Sequence, residues 1–201
     1  MMAVHAVVAA TVLISWWTMD RPAVKKRLLL IPQRMKHAGE WHRLLTHGFI
    51  HADWMHLAFN MFVLFEFGRT VEKDLSSMGW LGFPALYALG MVSGAIPALR
   101  KHGDNPSYAS LGASGAVSAV LVAFVALHPT STLLLFFVIP VPAVIAGVLF
   151  FWYESRMMDK GRGRVAHDAH LGGGLLGLLW VLLTVPNALS EMIRALQALL
   201  G

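Results

Sequence analysis

Apolar segments recur along this chain at about the length of a bilayer, and that pattern limits the possible folds more than any single motif does. Segments over 2–19, 55–71, 80–99, 114–128, 133–153 and 166–186 each come near the length needed to cross hydrocarbon of roughly 30 Å. In lipid every backbone N–H and C=O must find its partner inside the protein, so segments of this kind fold as helices. Composition agrees: 57% of the 201 residues are hydrophobic and 13% are charged, with a mean hydropathy of +0.62, far from a soluble domain. The expected fold class is an all-α polytopic membrane protein. Six transmembrane helices would form one compact bundle over residues 1–186, and an amphipathic tail would follow over 187–201.

The first segment lacks a basic start and ends in Trp16-Trp17-Thr18-Met19, an interface sequence and not a small-residue cleavage site, so it is expected to stay as a span. Zero cysteines exclude disulfides, thiolate nucleophiles and sulfur-ligated metals together. The net charge of +5 has no soluble basic domain to carry nucleic-acid binding. Anionic lipid headgroups of the bilayer are the expected partners, with no nucleic acid. Residues 20–53 mix basic, aromatic and aliphatic side chains, which suits a folded, partly embedded loop with short helices.

The polar residues inside the spans carry the chemistry. Leu111-Gly112-Ala113-Ser114-Gly115 puts a serine between glycines at the mouth of the fourth span. By itself this reads more readily as a turn with a capping serine than as a catalytic motif. On the sixth span His170, Gly173, Gly174 and Gly177 share one face, and small residues along the fourth span offer a matching surface for close packing. That docking would bring Ser114 within reach of His170 as general base. His56 and Asn60, four residues apart at the start of the second span, are suitable in type and spacing to face the developing oxyanion with the Ser114 N–H.

No acidic residue presents itself to orient His170. Asp168 lies two positions away and off the helix face, which argues against a Ser-His-Asp triad, so packing on an aromatic ring is expected to hold the base instead. Neither His-Glu-x-x-His nor clustered carboxylates within the spans appear, so no metal and no cofactor is expected. A histidine-lined proton or ion path is the alternative from another class, although it leaves Gly-x-Ser-Gly unexplained. Pro140-Val141-Pro142 interrupts the fifth segment, which is expected to be extended or broken before a short helix over 142–153.

Taken together these residues resemble the rhomboid family of intramembrane serine proteases, in family order over essentially the whole chain. The match consists of Gly112-Ala113-Ser114-Gly115, His170 with Gly173 and Gly177, His51 with His56 and Asn60, and Trp41-x-Arg43 in the first loop. The resemblance implies a bacterial-type six-span bundle with Ser114 as nucleophile, His170 as base and His56 and Asn60 on the oxyanion side. Arg43 and His51 would be structural anchors of the loop. His42 stands where the family usually has a tryptophan, and Trp41 is expected to take over its packing. Transmembrane protein segments with locally unstable helix are the implied substrates, reaching the site past the fifth span under a cap formed by the loop before His170. The implied location is a bacterial cytoplasmic membrane; a catalytically inactive, helix-binding relative is the alternative. Thirteen of the sixteen Lys and Arg residues fall in the first, third and fifth loops, a bias that puts the serine side in the cytoplasm. The family resemblance implies the opposite side.

Overall fold

In the computed structural model, which describes residues 2–135, 138–160 and 166–200, helices account for nearly all regular structure. The order is α1 (Ala3–Met19), α2 (Pro22–Leu28), α3 (Pro32–Ala38), α4 (Arg43–Thr46), α5 (Trp54–Asp74), α6 (Phe83–His102), α7 (Ser114–Leu127), α8 (Ala143–Lys160), α9 (His167–Thr184) and α10 (Ala188–Leu200). The short helices α2 and α3 each open on a proline at their first position, where the missing N–H is not needed. Glu72, near the end of α5, accepts hydrogen bonds from the Ala3 and Val4 N–H groups at 2.9 and 3.2 Å and so ties the start of α1 to its neighbour.

The outer helices are apolar on the outside and partly polar within. α1 buries Val4, Thr11, Ser15 and Thr18 but leaves Val12, Leu13, Trp16 and Trp17 exposed; α5 buries Asn60 and exposes Phe59, Phe62 and Phe65. Apolar faces of this kind mark a surface made to contact another apolar phase or partner. By length and apolar character, the helical stretch Ser76–His102 is sufficient to cross a membrane among the described residues. The bent pair His167–Thr184 and Ala188–Ala198, meeting at 111°, is a second candidate.

α6, α7 and α9 form the centre. Gly94, Gly115 and Gly173 meet there: a Cβ on Gly94 would stand 2.9 Å from the Gly115 Cα and 3.1 Å from the Ala169 carbonyl oxygen. Pro97 within α6 cannot donate to the Ser93 carbonyl, and Gly172 of α9 comes close to that freed oxygen, while Ser93 Oγ donates to the Gly172 carbonyl at 2.8 Å.

One departure from an all-helical chain follows α7. Strands β1 (Thr132–Leu135) and β2 (Ile139–Pro142) pair antiparallel, with Leu133 opposite Val141. Pro140 and Pro142 lack the N–H that a helix interior requires, which suits strand pairing over Ile139–Pro142, and α8 begins only at Ala143. The fifth segment is therefore a hairpin plus a helix reaching Lys160, not a span over 133–153. The loop before His170, expected as the cap, falls largely on 161–165, outside the described residues. The tail forms α10, which packs back on α7, α8 and α9 with Glu191 and Arg194 exposed and paired.

Candidate active site

Ser114 is the first residue of α7, and the backbone before it is held from four directions. Gly112 has φ +109°, a left-handed conformation that favours glycine, and its missing side chain leaves room for the His56 ring: a Cβ would stand 2.8 Å from His56 Cε1. Its N–H donates to the His47 carbonyl at 2.9 Å. Ser110 and Leu30 exchange backbone hydrogen bonds at 2.9 and 3.0 Å. The Ala113 N–H points to His51 Nε2 at 3.5 Å. Past these contacts the N–H groups of Ser114, Gly115 and Ala116 have no acceptor within the helix, so the first turn of α7 presents donors. A cavity of about 20 Å³ beside Ser114, bordered also by Gly115, His47 and Tyr108, has room for one water molecule.

The anchors lie in the first loop. Arg43 is 2% exposed and donates to the Lys26 and Leu29 carbonyls at 3.1 and 2.7 Å and to Glu40 Oε2 at 2.6 Å. The hydrogen bond from Arg43 holds the Glu40 carboxyl below its usual range. Arg43→Gln is expected to leave two carbonyls short of a charged donor and to lower stability by about 3 kcal/mol, read by thermal unfolding in detergent. Lysine should not rescue it, because an ammonium cannot span the fork. Trp41 is 56% exposed and does not supply the internal packing expected of it.

His51 is buried, with Nδ1 2.9 Å from Ser15 Oγ; the Ser15 hydroxyl donates to the Phe49 carbonyl at 2.9 Å. This chain is consistent for a neutral ring that donates from Nδ1 and accepts from Ala113 at Nε2. Burial, with smaller effects from His56 and Lys25, lowers its pKa to about 3, against a small opposing effect of Asp53. The unfolded chain binds this proton near 6.5 and the folded one only near 3. The stability supplied by the neutral ring is therefore complete above 6.5 and is lost as pH falls toward 3. We expect the thermal midpoint of the wild type to fall on acidification from pH 7 to 4. His51→Gln should be less stable at pH 7 but lose less on acidification; equal losses would contradict this role.

The docking expected of the sixth segment is present in α9. A Cβ on Gly173 would overlap the Gly115 carbonyl oxygen and stand 2.7 Å from its carbon, and one on Gly177 would meet Ala119 in the same way. Both contacts advance by four residues in the same sense, so α7 and α9 run parallel. Ser114 opens α7 and His170 lies in the first turn of α9, so both stand at the same end of the seam. Both residues are partly exposed. Among the described residues no hydrogen bond joins them. His56 reaches the serine loop through Gly112, whereas Asn60, 3% exposed, donates its amide back to the His56 carbonyl at 2.9 Å.

The sequence reading missed the acid. Glu154 on α8 is 6% exposed, with Oε1 3.1 Å from His170 Nδ1 and Oε2 2.6 Å from His167 Nδ1. Thus a carboxylate contacts the proposed base, the His167 ring stands edge-on to His170 with centroids 6.0 Å apart, and Tyr153 lies edge-on to His167. Ending the fifth span at Tyr153 put Glu154 just outside it; had the helix been continued, its lone intramembrane acid would have been the signal. Asp168 turns away to Lys101 at 3.2 Å, in keeping with the argument against a Ser-His-Asp triad. Donor atoms of Glu154, His167 and His170 lie within 4.8 Å of one another, a set able in type to take a metal ion. The 2.6 Å spacing is that of a hydrogen bond; two ligands on one tetrahedral zinc ion stand roughly 3.3 Å apart, so the residues as arranged form a hydrogen-bonded group.

Comparison with known proteins agrees with this architecture. The family model described as Rhomboid domain matches residues 38–187. "RHOMBOID-like protein 12, mitochondrial" of Arabidopsis thaliana is 28% identical over 185 residues, covering 85% of this chain and 54% of that protein. "Rhomboid protein 1, mitochondrial" of Saccharomyces cerevisiae is 32% identical over 146 residues, 68% of this chain and 40% of the relative. "Presenilin-associated rhomboid-like protein, mitochondrial" of Homo sapiens is 32% identical over 142 residues, 69% of this chain and 36% of the relative. This chain thus spans about half of the first relative and less of the others. The chain belongs to the rhomboid family and, at family level, to the integral membrane proteins.

Proposed function

We propose that this protein is an intramembrane serine endopeptidase that cleaves transmembrane segments of other membrane proteins. The observation that supports the reading is the α7/α9 seam, whose side-chain-free contacts hold two parallel helices together with Ser114 in the first turn of one and His170 in the first turn of the other. In this reading Ser114 Oγ attacks the scissile carbonyl carbon while its proton passes to His170 Nε2. The Ser114 N–H and His56 face the oxygen on which charge develops, and His170 then returns the proton to the leaving amine. Asn60 supports His56 from below through its carbonyl. The scissile segment must unwind to expose its backbone, so substrates would carry helix breakers near the cut. The six long helices would span a membrane, of bacterial cytoplasmic type, and the substrate would come in beside α8.

A rhomboid-like protein that binds membrane helices without cleaving them is the second reading, favoured by Asn60 being turned onto its own helix. Reconstitution in liposomes with a single-span substrate bearing a Gly-Pro break separates the two. Cleavage by the wild type supports the protease; binding of the segment with no cleavage supports the alternative.

A further inference from the structure

We propose that Glu154 is a positioning residue for the base, fixing the tautomer of His170 and itself held by His167. The inference rests on the protease reading in taking His170 as the base. An ionised carboxylate only accepts hydrogen bonds, and both of its contacts are to Nδ1 atoms, so each ring donates from Nδ1. A neutral imidazole with its hydrogen on Nδ1 carries its lone pair on Nε2, the atom that must accept the serine proton. Without the carboxylate the ring is free to carry its hydrogen on Nε2, where it cannot act as a base. Glu154 is buried on an apolar helix with no Lys or Arg paired to it among the described residues, so the two histidines are its partners. A buried acid kept in place by two N–H donors costs stability that packed apolar side chains would not, which points to a role at His170.

The other charged or titratable groups around His170 do not compete for that role. His167 on α9 is occupied by the same carboxylate, Asp168 pairs with Lys101 of α6, and His56 of α5 carries no negative charge. During attack the serine proton moves to Nε2, the Nδ1 hydrogen stays on His170, and the resulting imidazolium faces a negative partner.

The test uses full-length protein in micelles with two readouts. One is the tautomer of His170 by histidine-selective ¹⁵N NMR, which does not depend on activity. The other is the rate of labelling by a fluorophosphonate probe, in which an Oγ–P bond forms, P–F breaks and fluoride leaves. The wild type should show the Nδ1–H form. Glu154→Gln should shift His170 toward the Nε2–H form and slow labelling on the order of 10²-fold, less than the ~10⁴-fold seen when the acid of a full triad is amidated. Glu154→Asp should restore part of both, and His167→Gln, which replaces one ring donor to the carboxylate by an amide, should slow labelling less. A Glu154→Gln protein with wild-type tautomer and rate overturns the proposal, and if that variant does not fold, a wild type that carries His170 in the Nε2–H form does so. A tautomer shift in a protein whose wild type never labels would instead overturn the protease reading while leaving the assignment of Glu154 standing.

Discussion

Gly173→Ala is expected to lower the thermal midpoint of the protein by about 10 °C or more, and Gly177→Ala by nearly as much. At both positions the added carbon would meet backbone, the carbonyl groups of Gly115 and Ala119, and backbone inside a helix cannot swing aside as a side chain can. α9 would have to move away from α7 along its length. Overpacking typically costs about 1–3 kcal/mol even where side chains relax, and for a chain of this size each kcal/mol shifts the midpoint by about 2–4 °C. Gly174→Ala is the control: its new carbon would meet Phe150 and Val122 side-chain atoms at 3.0 and 3.2 Å, which can yield, so a few degrees at most should be lost. Circular dichroism melts of the three variants in one detergent give the ordering. Equal effects at positions 173 and 174 would contradict the seam as the element that sets the site.

Removing the base is expected to lower cleavage of a single-span substrate by roughly 100- to 10,000-fold, the range that general base catalysis supplies. His170→Gln is the better variant for this, because its amide can still donate to Glu154 Oε1, whereas His170→Ala strands a buried carboxylate oxygen and mixes a stability loss into the rate. Ser114→Ala should reduce cleavage to background, since in this reading Ser114 Oγ is the nucleophile. Both variants should melt within a few degrees of the wild type. A His170→Gln protein that retains most of its activity would move the base elsewhere.

The parts of this arrangement legible in the sequence are those that depend on local pattern. Glycines at positions 173 and 177 share one helix face with His170, and that periodicity survives whatever the surrounding fold does. Arg43 and His51 are expected as loop anchors through family likeness, and both side chains are buried and hydrogen-bonded, although Ser15, which holds His51, lies on α1 and no local pattern connects them. Two features depended on where an element ends. Prolines 140 and 142 signalled a break, yet whether the preceding residues would pair as strands is a tertiary choice, and the hairpin they form shifts α8 toward Lys160. That shift carries Glu154 from a presumed loop into the bundle. Asn60 shows the same limit at a single side chain: its spacing from His56 put both on one face, but its amide had a nearer acceptor in its own helix.

The most direct measurement is to treat the purified protein with a fluorophosphonate probe and locate the adduct by peptide mass spectrometry. The expected result is a single phosphonylated residue, Ser114, in the wild type, no adduct in Ser114→Ala, and strongly slowed labelling in His170→Gln. A folded wild-type protein that takes no label, or one labelled at Ser110 or Ser118 and not at Ser114, would contradict the assignment of a serine nucleophile activated across the α7/α9 seam.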